Sequence, residues 1–343
     1  MLRRTGMFAY RKTLAIAVAL GLLCVGAGES AERHRKRANA PVSLPGILWR
    51  DPAAIGSRDL FYGPGGKQHE PPRGRFTFLK EDPEGSNPKF DVRDENGVKW
   101  KVKLGLEARP ETVASRIAWA AGYFADEDYF VRDLHVEHMP GRLHRGRKLV
   151  DPDGTVHNVR LKRDSGEEKK IGTWQWRRNP FVGTRELNGL KVVMALINNW
   201  DLKDVNNAVY QRGSCLAYEV SDLGASFASA GRTWPFDKSK GNLESYRRAR
   251  FIRGMTDDTV DFQTPARPKW VMFVNPKGYF MRVHLEWIGR NIPREDARWV
   301  GLILSRLSPG QIGDAFRAAG YDARDVDEFS AVLLSRIAAL TDL

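Results

Sequence analysis

Four side chains near the middle of the chain have the types and spacing to do chemistry: Asp201, Lys203, Asn206 and, sixteen residues further on, Asp222. Aspartate and asparagine offer hard oxygen donors, the kind that Mg²⁺ or Mn²⁺ prefers. Phosphoryl transfer from a nucleotide asks a protein for little covalent help and much positioning. It needs metal on the phosphates, a cation on their charge, and a residue that orients the acceptor hydroxyl. In such a site Asp201 orients the acceptor or takes its proton, and Lys203 steadies the transferring group. Asn206 turns its amide oxygen to the metal, and Asp222 holds the metal that bridges the phosphates. Gly224, two residues after Asp222, lets the backbone turn sharply there.

These residues need elements to hold them. Thr184 is set to cap a helix whose Leu187, Leu190, Val193, Met194 and Ile197 recur at helical spacing and deliver the chain to Asp201. A strand-like run separates Asn206 from Asp222. Upstream, residues 74–80 and 89–93 alternate apolar and polar, joined by turn residues at 82–88, and Asn96-Gly97 turns the chain into a third strand over 98–104. Period-2 alternation puts Val98, Trp100, Val102 and Leu104 on one face, and Lys99, Lys101 and Lys103 on the other. Pro110 opens a helix with Val113, Ile117, Ala118 and Ala121 on one stripe and Gly122 near its end. Further strands are expected at 134–136 and 156–161, with 162–170 a charged loop. After Phe227 the pattern is helical, over 242–253, 283–290, 294–307, 309–319 and 326–340. Strands first and helices afterwards make an α+β chain of two lobes: 74–180 as the N-terminal lobe and 181–343 as the C-terminal catalytic lobe.

The order of these features is familiar. Asp201-Leu202-Lys203-Asp204-Val205-Asn206 matches the Asp-Leu-Lys-x-x-Asn part of a protein-kinase catalytic loop, with Asn199-Trp200 in place of the usual His-Arg. Asp222-Leu223-Gly224 matches the Asp-Phe-Gly turn with Leu for Phe. The chain resembles the protein-kinase-like superfamily from about Phe76 through the C-terminal helices. Its surroundings resemble the atypical branch that includes HipA-type and phosphoinositide kinases. That branch has an N-lobe helix with a Glu, a late Ala and a Gly, where Glu111, Ala118 and Gly122 stand here. Asn199-x-Asp201 with Asn206 is likewise similar to the HipA-type loop.

The resemblance implies a two-lobed kinase-like fold, ATP as donor, Mg²⁺ or Mn²⁺ as metal, and a strand lysine paired with the helix glutamate. Lys103 and Glu111 fill those positions, with Lys101 and Glu107 as second choices. A Gly-x-Gly-x-x-Gly loop is absent, and Gly85-Ser86-Asn87 in the first hairpin is the stretch that would cover the phosphates.

Length and composition bound the reading. The 343 residues are 42% hydrophobic and 28% charged, as in a folded globular chain. The formal charge is +13, but the first forty residues hold eight Lys or Arg against two Glu, which leaves +7 for the rest. A modestly basic body suits an anionic ligand such as a nucleotide and carries no strong nucleic-acid signal. Arg3, Arg4, Arg11 and Lys12 precede an apolar run over 14–27 that is short for a bilayer span, the layout of a secretory signal. Residues 1–30 are therefore expected to be a signal peptide or an uncleaved membrane anchor, and 31–73 a linker and lead-in. The protein is expected outside the cytoplasm, periplasmic or secreted.

Each feature also has a plainer reading. Asp201 and Asn206 suit any helix-to-strand loop, Lys101 and Lys103 any solvated strand face, and Glu111 any helix N-terminus. Trp174, Trp176, Trp200 and Trp270 are read as core, and Cys215 as a small buried residue. His135, His138 and His144 lack the setting of a zinc site. The expected function is a metal-dependent, kinase-like phosphotransferase acting on an unknown protein or small-molecule acceptor. The alternative is a catalytically silent pseudokinase or binding module for an acidic partner or envelope polymer.

Overall fold

The structure is a computed structural model and describes residues 44–83, 87–141, 143–164, 166, 168–228, 240–263, 270–283 and 285–343. The expected leader, residues 31–43 of the expected linker and lead-in, and Gly85 and Ser86 lie outside the described residues. Among the described residues no helix is long and apolar enough to cross a membrane.

The described chain opens with the two-residue strand β1 (Gly46–Ile47) and continues through β2 (Phe76–Asp82), β3 (Lys89–Asp94), β4 (Lys99–Lys103) and helix α1 (Ala108–Ala120). Next come β5 (Phe124–Ala125), β6 (Asp128–Glu137) and β7 (Thr155–Asp164). The three expected strands do not stop at an antiparallel sheet. With β6 and β7 they close a five-stranded barrel in the order β2-β3-β4-β7-β6, sealed where β2 runs parallel to β6 with Phe76 opposite Val136. Phe76, Phe90, Val92, Trp100, Val102 and Leu161 fill this core, the outcome that period-2 alternation demands.

Helix α1 lies at the boundary of two cores and packs on β6 and β7 as well as on the helices beyond. Val113, Ala114, Ile117 and Ala118 join the larger hydrophobic core. Its polar side chains point elsewhere and are buried too. Ser115 Oγ donates to Asp128 Oδ2 at 2.6 Å, and Arg116 Nη1 donates to the carbonyl oxygens of Thr112 and Asp128 at 2.8 and 2.9 Å. Arg116 also reaches the Phe61 carbonyl at 3.0 Å, which ties the lead-in segment onto α1. Gly63-Pro64-Gly65 forms a short 3-10 turn there, so these glycines serve packing.

The remaining elements are β8 (Lys169–Gly172), α2 (Arg185–Leu196), β9 (Asn207–Arg212), β10 (Cys215–Val220), α3 (Leu243–Arg248), β11 (Ile252–Met255) and β12 (Thr259–Phe262). They are followed by α4 (Val271–Val274), α5 (Pro276–Val283), β13 (Ile292–Pro293), α6 (Arg294–Leu304), α7 (Pro309–Ala318) and α8 (Ala323–Thr341). Thr184 caps α2 by accepting from the Leu187 backbone N–H, and Ser308 with Gln311 forms a capping box on α7. Phe227, Tyr246, Phe316 and Phe329 pack edge and face around one another in the larger core. A second sheet runs β1-β10-β9-β8, with β5 beside β10.

Three expectations are corrected. Over the expected helix 283–290 the described residues hold the end of α5 and a 3-10 turn, Glu286–Gly289. The charged stretch 162–170 is not all loop, because β7 runs to Asp164 and β8 begins at Lys169, pairing with β9. The helix expected over 242–253 ends at Arg248, and the chain then enters a small sheet, β11-β12-β13.

Candidate active site

The β9–β10 hairpin sets the spacing of the two central loops. Its register is unbroken from Cys215 opposite Arg212 to Val220 opposite Asn207, so the residues before β9 and after β10 emerge at the same edge. The Ser221 backbone N–H donates to the Asn206 carbonyl at 3.1 Å, which joins the loops where the hairpin ends. Two further backbone bonds hold them together. Trp200 N–H donates to the Ala225 carbonyl at 3.2 Å, and Phe227 N–H to the Ile197 carbonyl at 2.8 Å.

Within the first loop, Asn199 Oδ1 accepts from the Asp201 backbone N–H at 2.8 Å. Asn206 Nδ2 donates to the Asp201 carbonyl at 2.7 Å. Since only the amide nitrogen can donate, the Asn206 side-chain oxygen is the end turned away from that bond. Lys203 Nζ lies 2.9 Å from Asp201 Oδ2.

Asp222 adopts a φ of 55°, a left-handed conformation uncommon for any residue but glycine. Its half-exposed carboxylate meets Lys103 from the barrel, with Nζ 2.6 Å from Oδ1. Lys103 ends β4 and is buried. The same ammonium lies 2.7 Å from Glu111 Oε2 and 3.3 Å from Glu107 Oε2. Glu111 in turn accepts from Arg160 Nη2 at 2.7 Å, and Arg160 Nε stands 3.3 Å from Asp128 Oδ1. Glu107 is also paired with Lys240.

Charge follows from this packing. Burial and the nearby Arg160 work against the Lys103 ammonium, but Glu111, Asp222 and Glu107 overcome them and hold it well above its ordinary value. Burial alone would raise Asp222, yet the charge and hydrogen bond of Lys103, with Arg160 and Lys203 behind, keep its carboxyl below the ordinary value. Asp222 is thus ionised at neutral pH. Glu107 is lowered likewise, with Lys103 and Lys240 outweighing burial. Complete burial pushes Glu111 upward against the pull of Arg160 and Lys103.

Lys103, Glu111 and Asp222 therefore meet at one point, and Lys203, which pairs with Asp201, adds its charge at Asp222. Asn206 is joined to Asp222 through the neighbouring Ser221. Glu107 belongs to the cluster beside Glu111 rather than replacing it. Lys101 does not reach it and stands 3.5 Å from Asp82. Glu107, Glu111 and Asp222 form one of two acidic groups, among the described residues, compact enough to hold a metal ion.

Sequence reasoning missed Arg160, Lys162, Asp126 and Asp128, which continue the buried charge network. Lys162 pairs with Asp126, and both side chains are largely buried. Their signal was a string of charges inside a β pattern, which reads as a solvated edge. Trp174 and Trp176 are buried in the core and pack edge to face at 4.9 Å, and Trp200 is also buried, whereas Trp270 is exposed.

No family model matches the chain, and no curated protein matches it. Among solved structures, a Helicobacter pylori proinflammatory kinase, CtkA, is 14% identical over 78% of this chain and 96% of its own, with a TM-score of 0.44. A Golgi casein kinase is 10% identical over 85% of this chain and 78% of its own, with a TM-score of 0.33. Both scores are low, so the functional reading rests on the geometry of the cluster.

Proposed function

We propose that the chain is a metal-dependent, kinase-like phosphotransferase with a nucleotide, ATP in the first place, as donor. The observation that carries this is the meeting of Lys103 from the barrel with Asp222 from the hairpin at 2.6 Å, with Glu111 2.7 Å from the same ammonium. A solvated lysine on a strand face does not end up buried among three carboxylates.

The donor set fits a hard divalent cation: Asp222 is ionised and half-exposed, and the Asn206 amide oxygen is turned away from the bond its nitrogen makes. Asp222 and Asn206 would hold Mg²⁺ or Mn²⁺, which neutralises phosphate charge and fixes the phosphates in place when bound. Lys103 supplies a fixed positive charge for the phosphates, kept protonated and in place by Glu111 and Glu107. Asp201 orients the acceptor hydroxyl and accepts its proton, and Lys203, 2.9 Å away, steadies both Asp201 and the transferring group. Oriented charge of this kind, placed before the reaction, is the main source of rate in such transfers. The HipA-type and phosphoinositide-kinase-like branch remains the pattern this proposal follows.

The acceptor is a protein or small-molecule hydroxyl. Incubation with Mg-ATP, followed by mass spectrometry of the chain and of added acceptors, tests the reaction. The expected result is a phosphoryl increment that Asp201→Asn abolishes; ATP consumption unchanged in that variant overturns the role of Asp201. The leader read from the sequence makes export or membrane anchoring part of the proposal. An intact Met1 in a cytoplasmic fraction would overturn that part.

The alternative reading is the catalytically silent binding module. Calorimetry separates the readings, since a silent module that binds no nucleotide takes up no ATP with Mg²⁺, with Mn²⁺ or without metal.

A further inference from the structure

A second cavity, of about 470 Å³, opens at the first turn of α1. Arg109 and Pro110 of α1, Asn158 of β7, Lys240, and Tyr321 just ahead of α8 are among the residues that line it. Its volume is in the range that small-molecule ligands occupy.

Tyr321 is the observation that asks for a ligand. The residue is 9% exposed, and its ring packs on Phe316 and Phe329 at 5.8 and 5.1 Å. Its hydroxyl is buried and makes no hydrogen bond among the described residues. A Cβ on Gly241, at a φ of 58°, would fall 2.6 Å from that hydroxyl, so only a glycine there leaves it uncrowded. A buried hydroxyl without a partner is costly unless something enters to accept its hydrogen bond.

The surroundings define what enters. The Arg109 guanidinium lies over the rings of Phe130 and Tyr321 at 5.6 and 5.5 Å, and its Nη2 donates to Asn158 Oδ1 at 3.2 Å. Lys148 and Lys240 also line the cavity. Of the acidic residues there, Asp151 is engaged by His157 Nε2 at 2.9 Å, and Asp325 lies in the first turn of α8. Helix α1 presents its N-terminus without a side-chain cap, because Glu107 is committed to Lys103 and Lys240. Uncapped helix starts favour anions, and a planar guanidinium suits phosphate oxygens.

We propose that this cavity binds the phosphate ester of a small molecule, with the phosphate toward Arg109, Lys240 and the Tyr321 hydroxyl and the body against Leu106 and Leu149. The site adjoins the Lys103 cluster through Lys240, which pairs with Glu107, but its occupancy does not depend on the phosphotransferase reading.

Calorimetry on the full chain without divalent metal tests this, using phenyl phosphate and inorganic phosphate as probes. Phenyl phosphate is expected to bind saturably, about tenfold tighter than inorganic phosphate, because the cavity is far larger than a bare oxyanion. Tyr321→Phe is expected to weaken it about five- to tenfold, the size of one hydrogen bond to a charged group. The melting temperature should be unchanged, since the hydroxyl has no partner among the described residues to lose. Arg109→Gln should weaken it further, and Asp222→Asn should leave it unaltered. The proposal fails if neither probe binds saturably, or if Tyr321→Phe binds phenyl phosphate like wild type. It also fails if inorganic phosphate binds as tightly as the ester, or if Asp222→Asn abolishes binding, which would move the anion to the Lys103 cluster.

Discussion

Lys103 Nζ and Asp222 Oδ1 stand 2.6 Å apart across 119 residues of sequence. One ends the barrel's third strand, and the other follows the β9–β10 hairpin. This contact makes the candidate site a joint property of both parts of the chain.

Asp222→Ala is expected to abolish metal-dependent nucleotide binding while leaving the fold nearly as stable as before. Lys103 keeps Glu111 and Glu107 as partners, so no buried ammonium is stranded. Calorimetry with Mg-ATP reads the binding and urea denaturation reads the fold. Wild-type-like ATP affinity in the variant would sink the metal assignment.

Lys103→Met removes one member of a buried ion cluster and leaves Glu111 to Arg160 alone. Breaking such a pair costs about 3–5 kcal/mol, and the surviving Arg160 contact should hold the loss to about 2–3 kcal/mol. Urea denaturation at neutral pH measures this. Adding Glu111→Leu should return part of the loss, and a Lys103→Met variant as stable as wild type would show that the cluster contributes nothing.

Metal binding should depend on pH in a defined direction. Asp222 has its carboxyl held below the ordinary value by Lys103, so it stays ionised as pH falls through the usual aspartate range near about 3.9 and protonates only below it. Protonation removes a donor oxygen. Mn²⁺ affinity should therefore show no loss from Asp222 between about pH 7 and 5. Electron paramagnetic resonance titration of Mn²⁺ checks this, and a Mn²⁺ affinity that collapses between pH 7 and 6 would exclude Asp222 as the controlling ligand.

Gly224→Ala is expected to impair both stability and nucleotide binding without touching a charged residue. The added Cβ would lie 2.6 Å from Glu107 Cβ and 2.8 Å from its Cγ, too near the backbone for the side chain to swing away. Overpacking of this kind costs about 1–3 kcal/mol. Displacing Glu107 also disturbs Lys103 and Lys240. Thermal melting with and without Mg-ATP checks it, the ligand-induced rise being smaller than in wild type.

Where a residue's role depends on local pattern, the sequence was legible. Alternation placed β2, β3 and β4, helical spacing and a Thr cap placed α2, and the kinase resemblance picked out Lys103 at the end of β4 and Glu111 in the helix that follows. What was not legible depends on partners distant in the chain. β1 and β5 are two residues each and exist only because β10 accepts them. Helix α1 begins at Ala108, before Pro110, and that early start makes Glu107 its N-cap beside Lys103. Arg160 and Lys162 look like surface residues because nothing nearby in sequence shows that Glu111, Asp126 and Asp128 will enclose them. The helix expected over 242–253 failed because its charged second half gives no sign of pairing with Thr259–Phe262.

The unbroken register of β9 and β10 has a consequence for how this chain tolerates changes in length. An extra residue in the Gly213-Ser214 turn only lengthens the far tip of the hairpin, away from the two loops. One residue inserted or deleted inside either strand shifts one loop against the other by a full step, and period-2 alternation sends the following side chain to the opposite face. Insertions should therefore be tolerated at the tip, while the six-residue length of each strand behaves as a fixed ruler between Asn206 and Asp222.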